Sequence, residues 1–370
     1  MRAFPRVLFV LKHIEDPYGG YGYEPDCPPS NLPPKKPISS GLYNSARFIV
    51  DMLKTEGVPV KLVTVHDNST IHREIVAFQA DVVIIEAFWV VPDKFDELQA
   101  ACPNVTFVVR NHSETPFLAS DGIAFDWMLR YVQKPNVVLA ANSHHMYTDS
   151  HFLVKAANPQ WESPVIDAKV VMLPNYYPVG DTEVLRVDDH KTIDIGCFGA
   201  IRPLKNHMTQ AVAALRLATR LGKSLRFHIN GSVNDIAGDQ ILKNLSRLFS
   251  HYPQHMLVLH PWMTHAQFKD LLSTMDIVTQ VSFSETFNIV AADAVVQGVA
   301  VVTSDEVTWA SRCFYADPTD SHNISEIMEK AWFIKRKAPA LNLSLRGLKN
   351  YNRKAVHHWL DYLQTLSVNA

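Results

Sequence analysis

Short apolar runs alternate with helical stretches along nearly the whole chain. Val7 to Leu11 (VLFVL) is apolar throughout, as a parallel strand covered on both faces must be. Leu42 to Glu56 then reads as a helix stopped by Gly57, and Val58 to Val65 as the next strand. The pattern continues through helix Ile71 to Phe78, strand Val82 to Glu86, helix Asp93 to Ala101, strand Val105 to Val109 and helix Ile123 to Val132. Strands Val137 to Ala141 and Val170 to Leu173 complete a first series. A second series opens at Ile193 to Phe198, followed by helix His207 to Leu221, strand Phe227 to Asn230, helix Ile241 to Phe249 and strand Met256 to Leu259. Helix Ala266 to Ser273 and strand Ile277 to Val281 follow, then a helix from Ile289 that Gly298 stops, and strand Val299 to Thr303. Helices Ile324 to Phe333 and Leu345 to Leu366 end the chain. Strands regularly separated by helices predict parallel sheets, and two such series predict two α/β domains.

At 370 residues the chain is long enough for two full cores. We expect a first domain over 1–178, a linker over 179–192 where VGDTEVLRVDDHKT is polar and aperiodic, and a second domain over 193–344. Residues 345–370 form a C-terminal helix that could return to the first domain. Between Lys12 and Ser40 lies a long irregular segment with Gly19, Gly20, Gly22 and seven prolines; loops of this length are functional or mobile. A hydrophobic fraction of 47%, a charged fraction of 19% and a net charge of −2 describe a soluble globular chain with no global pull toward nucleic acid or membrane. Four cysteines without C-x-x-C spacing favour free thiols, and the N-terminus lacks a signal-peptide pattern, so the expected compartment is the cytoplasm. From Lys330 to His358 there are eight Lys or Arg and no acidic residue: either a solvated helix face or a surface for an anionic acceptor such as DNA or a lipid head group.

Open parallel sheets bind ligands beyond their strand C-termini. That singles out His112, Ser143 and Asn175 in the first half, with Gly41 opening its first helix. In the second half, the turn Gly199-Ala200-Ile201-Arg202-Pro203-Leu204-Lys205-Asn206 places two cations before a helix. The helix dipole does not favour cations there, so an anion between them and the helix end is the economical explanation. The loop Ser282 to Asn288 carries Glu285, and Asp293 follows eight residues later inside the next helix. The two carboxylates could grip different parts of one extended ligand. His144-His145 and His357-His358 lack any metal-ligand context, and no G-x-S-x-G, Walker lysine or kinase signature occurs, so no metal is expected.

The stretch QVSFSETFNIVAADAVVQGVAVVTSD (280–305) resembles the E-x7-E signature of retaining glycosyltransferases of family 4, with Asp293 in the second acidic place. GAIRPLKN is similar to that family's basic turn: Lys205 matches its lysine, whereas Ala200 stands at the arginine position and Arg202 lies two residues on. The resemblance implies a GT-B fold, two Rossmann-like domains facing each other across a cleft, and metal-independent sugar transfer from a nucleotide-diphosphate sugar. By the same resemblance Lys205 and Arg202 contact the donor diphosphate, with Gly199 in their turn, and Glu285 and His112 sit near the transferred sugar. Asp293 takes the ribose hydroxyls, Pro261, Trp262 and Met263 flank the nucleobase, and Gly231 joins the donor-binding residues. Thr286, Phe287, Asn288 and Ile289 replace the family's glycine-bearing segment; the N–H groups of Asn288 and Ile289 could face phosphate, but an approach needing positive φ is not expected without glycine. AANS and LPNYYP resemble the family's serine-bearing and Pro-Asn turns. They are expected to shape the cleft and hinge, with Ser143 and Asn175, together with Gly41, on the acceptor side.

Two other functions fit the same residues. A sugar-nucleotide epimerase would need acid/base carboxylates, for which Glu86 and Glu114 stand at first-half strand ends. A non-catalytic nucleotide- or glycan-binding protein would explain the departures at Ala200, Thr286, Asn288 and Asp293. For a transferase, the turns SSGLYNSA and GAIRPLKN resemble phage- or bacterium-encoded members of the family. A hydroxymethylated DNA base is therefore one acceptor candidate, beside glycan, lipid-linked and small-molecule hydroxyls.

Overall fold

The structure, a computed structural model, describes residues 4–12, 41–180, 190–231, 236–339 and 341–367. The long Pro/Gly/Tyr segment and most of the expected linker lie outside the described residues. Contacts divide the chain into two compact units, Met1–Pro178 with Asn352–Ala370, and Val179–Tyr351.

The first unit runs β1 (Val7–Lys12), α1 (Gly41–Thr55), β2 (Val60–Val65), α2 (Ile71–Phe78), β3 (Val82–Glu86), α3 (Lys94–Ala101) and β4 (Thr106–Asn111). It continues with α4 (Thr115–Leu118), α5 (Ala124–Tyr131), β5 (Val137–Ala141), α6 (His144–Ala157), α7 (Ser163–Lys169) and β6 (Val170–Met172). The strands form one parallel sheet in the order β2-β1-β3-β4-β5-β6. Both faces are covered, which is why its strands read as unbroken apolar runs. Phe9, Ile84 and Val108 face Ile49 and Trp359 on one side; Leu8, Ile85 and Val109 face Ile75, Phe95 and Tyr131 on the other.

The second unit runs β7 (Thr192–Gly196), α8 (His207–Leu221), β8 (Ser224–Asn230), α9 (Ile236–Ser250), β9 (Met256–His260) and α10 (His265–Ser273). Then come β10 (Ile277–Gln280), α11 (Ile289–Val296), β11 (Ala300–Thr303), α12 (Ser321–Lys337) and α13 (Leu343–Ser367). Its sheet is also parallel, ordered β11-β10-β7-β8-β9. The division between the units falls inside α13. Among the described residues, no helix is long and apolar enough to cross a membrane.

Three helices are absent from the sequence pattern: Thr115–Leu118 forms α4, His144-His145 opens α6, and Ser163–Lys169 forms α7. The buried stripe of α6 is only Met146, Ser150 and Val154, and the polar member in its middle erases the apolar periodicity.

Candidate functional site

In the second sheet the chain order reverses between β7 and β10, which are hydrogen-bonded neighbours. The loops after these strands diverge there and leave a natural ligand position. Those two loops carry Lys205 and Glu285.

After β7, Gly199 adopts φ +116°, a conformation that favours glycine, and its N–H donates to Asn230 Oδ1 at 2.8 Å. Arg202 is extended ahead of Pro203, and Lys205 ends a single 3-10 turn. Asn206 then takes φ +59°, with Nδ2 donating to the carbonyls of Val281 (3.1 Å) and Pro318 (2.7 Å). Gln210, fully buried in α8, closes the turn. Its Nε2 donates to Lys205 O at 2.8 Å, and its Oε1 accepts from Thr279 Oγ1 (2.8 Å) and Val281 N (2.9 Å). One glutamine thereby ties the cationic turn to β10.

Lys205 Nζ donates to Glu285 Oε1, and Asn288 Nδ2 donates to the same oxygen at 3.0 Å. Asn288 also donates to Gln280 Oε1 at 3.0 Å, while its own Oδ1 caps α11 by accepting from Ala291 N at 2.9 Å. It sits at φ +60°. The expectation that losing the family's glycine removes a positive φ here is therefore corrected: asparagine tolerates this region better than most residues, and the cap holds it there. The N–H groups of Ile289 and Val290 then open a helix with no partner inside it. Behind the loop, Phe287 O accepts from Trp309 Nε1 at 2.6 Å, and the Phe287 ring packs against Trp309 and Tyr351. Thr286 is half-buried.

Asp293 is buried, and its Oδ1 accepts from His265 Nε2 at 2.5 Å. His265 starts α10, directly after the Pro261, Trp262 and Met263 loop that follows β9. Gly231 follows β8, its N–H donating to His260 O at 2.9 Å. Sequence reasoning missed His265 and Gln210. Only Gln210 left a signal, being a polar residue on the core-facing side of a helix whose other buried positions, His207 apart, are apolar.

In the first unit, Glu86 and Arg110 are paired across β3 and β4, and both are completely buried. Arg110 Nη1 donates to Glu86 Oε2 at 3.0 Å, Nε to Leu173 O at 2.9 Å, and Nη2 to Asn175 Oδ1. His112 Nε2 meets Glu86 Oε2. Burial alone would raise the Glu86 carboxyl, but Arg110 and His112 outweigh it and hold it below the ordinary carboxylate range. Burial pushes His112 down, so the ring is neutral at pH 7. Ser143 is spent on capping α6, accepting from Met146 N at 3.2 Å. Gly41 begins α1 and is exposed. Glu114 is buried ahead of α4.

The basic stretch is not one solvated face. Lys335 is buried with Nζ on Pro339 O at 2.9 Å, and the Arg336 guanidinium lies 4.6 Å from the Trp332 ring centre. Arg346, Lys349, Arg353 and Lys354 are exposed on α13. Among the described residues, no group of three or more His, Cys, Asp or Glu could hold a metal ion, and Cys102, Cys197 and Cys313 are free.

The chain matches no family model and no curated protein sequence. Among solved structures it is similar to Anabaena HepE in complex with UDP, at 12% identity and TM-score 0.60, over 98% of this chain and 100% of that one. It is similar to the UDP-forming α,α-trehalose-phosphate synthase of Burkholderia xenovorans, at 13% identity and TM-score 0.62, over 81% and 78%. A third likeness is to the N-terminal domain of Candida albicans trehalose-6-phosphate phosphatase, at 13% identity and TM-score 0.66, over 99% and 98%. At such identities likeness speaks for fold alone, and the fold is GT-B: two parallel-sheet, Rossmann-like α/β domains, as in the glycosyltransferases among these neighbours.

Proposed function

We propose that the protein is a retaining glycosyltransferase that moves a sugar from a nucleotide-diphosphate sugar to an acceptor hydroxyl. The observation that carries this reading is the meeting of Lys205, Glu285 and the start of α11 at the sheet's switch point. A cation, a carboxylate and the first-turn N–H groups of a helix at one strand edge suit a ligand that joins an anionic diphosphate to a hydroxyl-rich sugar. HepE was solved with UDP, and with UDP and glucose, on the same fold.

In this reading Lys205, Arg202 and the N–H groups at Asn288 and Ile289 neutralise charge that grows on the leaving diphosphate as the anomeric C–O bond breaks. The nucleoside diphosphate leaves with the bonding electrons. The acceptor oxygen bonds to the anomeric carbon from the same face, and its proton passes to the departing phosphate. No step draws on a metal ion. Glu285 accepts hydrogen bonds from the transferred sugar, Asp293 acts at the ribose together with His265, and Pro261 to Met263 flank the base. His112 is assigned to the transferred sugar, and Asn175, Ser143 and Gly41 to the acceptor side. Glu86, held ionised by Arg110, is poorly suited to donate the proton that an epimerase would need. The acceptor could be a hydroxymethylated DNA base, with Arg346, Lys349, Arg353 and Lys354 as the duplex contact. Free thiols suit a cytoplasmic setting.

A thermal-shift screen against UDP-, GDP-, ADP- and dTDP-sugars identifies the donor, because a ligand bound to the native state raises its melting point. Transfer assays then follow the anomeric configuration of the product by NMR. No shift with any donor, or an inverted product, overturns the proposal. DNA binding that weakens with salt and is lost on neutralising Lys349, Arg353 and Lys354 would select the DNA acceptor.

A further inference from the structure

The direction of the Asn288 amide follows from which of its neighbours can only donate and which can only accept. The N–H of Ala291 can only donate, so the Asn288 side-chain oxygen must face it, at 2.9 Å. That turns Nδ2 the other way, where it donates to Gln280 Oε1 and to Glu285 Oε1, each at 3.0 Å. Gln280 is fixed independently. Its Nε2 donates at 3.0 Å to Phe198 O, a carbonyl that can only accept, which leaves Oε1 for Asn288. Gln280 and Asn288 are both buried, so water does not compete freely for either amide. A chain of hydrogen bonds thus runs from Phe198 through Gln280 and Asn288 to Glu285, separate from the Lys205 contact.

The backbone narrows the choice of residue. Glycine, asparagine and aspartate enter the left-handed region most readily, and this position stands at φ +60°. Glycine would offer neither cap nor donor. Aspartate would cap α11, but it has no hydrogen for Glu285 and would face it with a second negative charge. Of the three, asparagine alone supplies the acceptor and the donors together.

We propose that Asn288 is the positioning residue for Glu285: anchored by the α11 cap and by Gln280, it keeps the carboxylate's direction when a diphosphate draws Lys205 away. In the resting protein Glu285 Oε1 takes both donors, Lys205 Nζ and Asn288 Nδ2. A ligand phosphate competes for the long lysine side chain, whereas the amide is pinned on two further sides. The hold on Glu285 stands on geometry within the second unit; the work given to Glu285 rests on the glycosyl-transfer reading.

The test is nucleotide release from UDP-, GDP-, ADP- and dTDP-sugars by the full-length protein and its variants, with melting temperatures alongside. Asn288→Gly takes the same φ freely and should fold, with kcat falling about tenfold while donor KM moves less than about threefold. Asn288→Asp keeps the cap. If capping were the whole task, that variant would turn over like wild type, and this result overturns the proposal; we expect a loss at least as large as in Asn288→Gly. Glu285→Ala measures the coupling: in that background Asn288→Gly should change kcat by less than about twofold. Losses that simply multiply in the double variant would show that Asn288 does not act through Glu285. A wild type that releases nucleotide from none of these donors sinks the transfer reading and this inference together, whereas wild-type turnover with unaltered variants sinks the inference alone.

Discussion

Glu285→Gln removes the negative charge that Lys205 faces while keeping the side chain's length and an oxygen that can accept from Asn288. In the resting protein Lys205 Nζ is bonded to Glu285, so an incoming diphosphate competes with that carboxylate for the cation. The side chains are 29% and 8% exposed, which makes the pair neither a loose surface bridge nor a sealed one. At that depth it contributes about 1 kcal/mol net, the upper end for solvent-reached pairs. Freeing Lys205 should therefore tighten nucleoside diphosphate binding about fivefold. Glu285 is also the acceptor for the sugar in the proposed reaction, and a hydrogen bond to a charged group is worth about 1.5–3 kcal/mol. Losing it should slow kcat roughly 10- to 150-fold. Isothermal titration with the diphosphate and steady-state transfer kinetics, both at low ionic strength so that the charge effect is not screened, measure the two quantities. Affinity and turnover must move in opposite directions. Weaker diphosphate binding in the variant would show that Lys205 is not the phosphate cation. An unchanged kcat would remove Glu285 from the reacting centre.

Three further changes probe the frame around the site. His265→Ala takes a hydrogen bond from the buried Asp293 carboxylate and should cost about 2 kcal/mol in urea unfolding, with donor KM rising in step. His207, buried at the start of α8, has its pKa pushed down to about 4 from an ordinary 6.5 by burial and by Lys205. A depressed pKa means its contribution is intact above pH 6.5 and is lost as the pH falls from 6.5 toward 4, by up to about 3 kcal/mol. Urea midpoints at pH 7.5 and 4.5 should therefore converge in His207→Leu relative to wild type. Gly347→Ala would set a Cβ 2.0 Å from Trp309 O, and Trp309 holds Phe287 behind the Glu285 loop. We expect a loss of about 1–3 kcal/mol, seen as a lower melting temperature, and a fall in transfer that partly recovers on cooling.

The fold was legible because its strands are buried on both faces. VLFVL, VVIIE and VVLAA carry no polar interruption before their ends, and the glycines at 57 and 298 stop helices where left-handed φ is required. Where burial is a narrow stripe with a polar member, as in α6, the same reading fails. Lys205 and Glu285 were legible as loop residues at strand ends, but their contact was not, since they lie 80 positions apart. The same holds for Gln210 with Val281 and for His265 with Asp293, whose partners are 71 and 28 positions away. Local pattern shows which residues reach a strand edge, while the sheet order decides which of them meet there.

Solvent access assigns different work to the two acid–base pairs at strand edges. Glu86 and Arg110 are sealed, so exchanging either partner for a ligand would strand a charge in the interior at a cost of several kcal/mol, and no substrate contact repays that. Such a pair can orient its neighbours but cannot let go of its own partner. Lys205 and Glu285 keep some contact with water, 29% and 8% of their side chains, and a diphosphate that replaces the carboxylate leaves Glu285 still bonded to Asn288. That exchange is cheap enough for binding to drive. In the proposed reaction it also hands the sugar a carboxylate released at the moment the phosphate arrives, which would make Glu285 available as an acceptor only when a donor is in place.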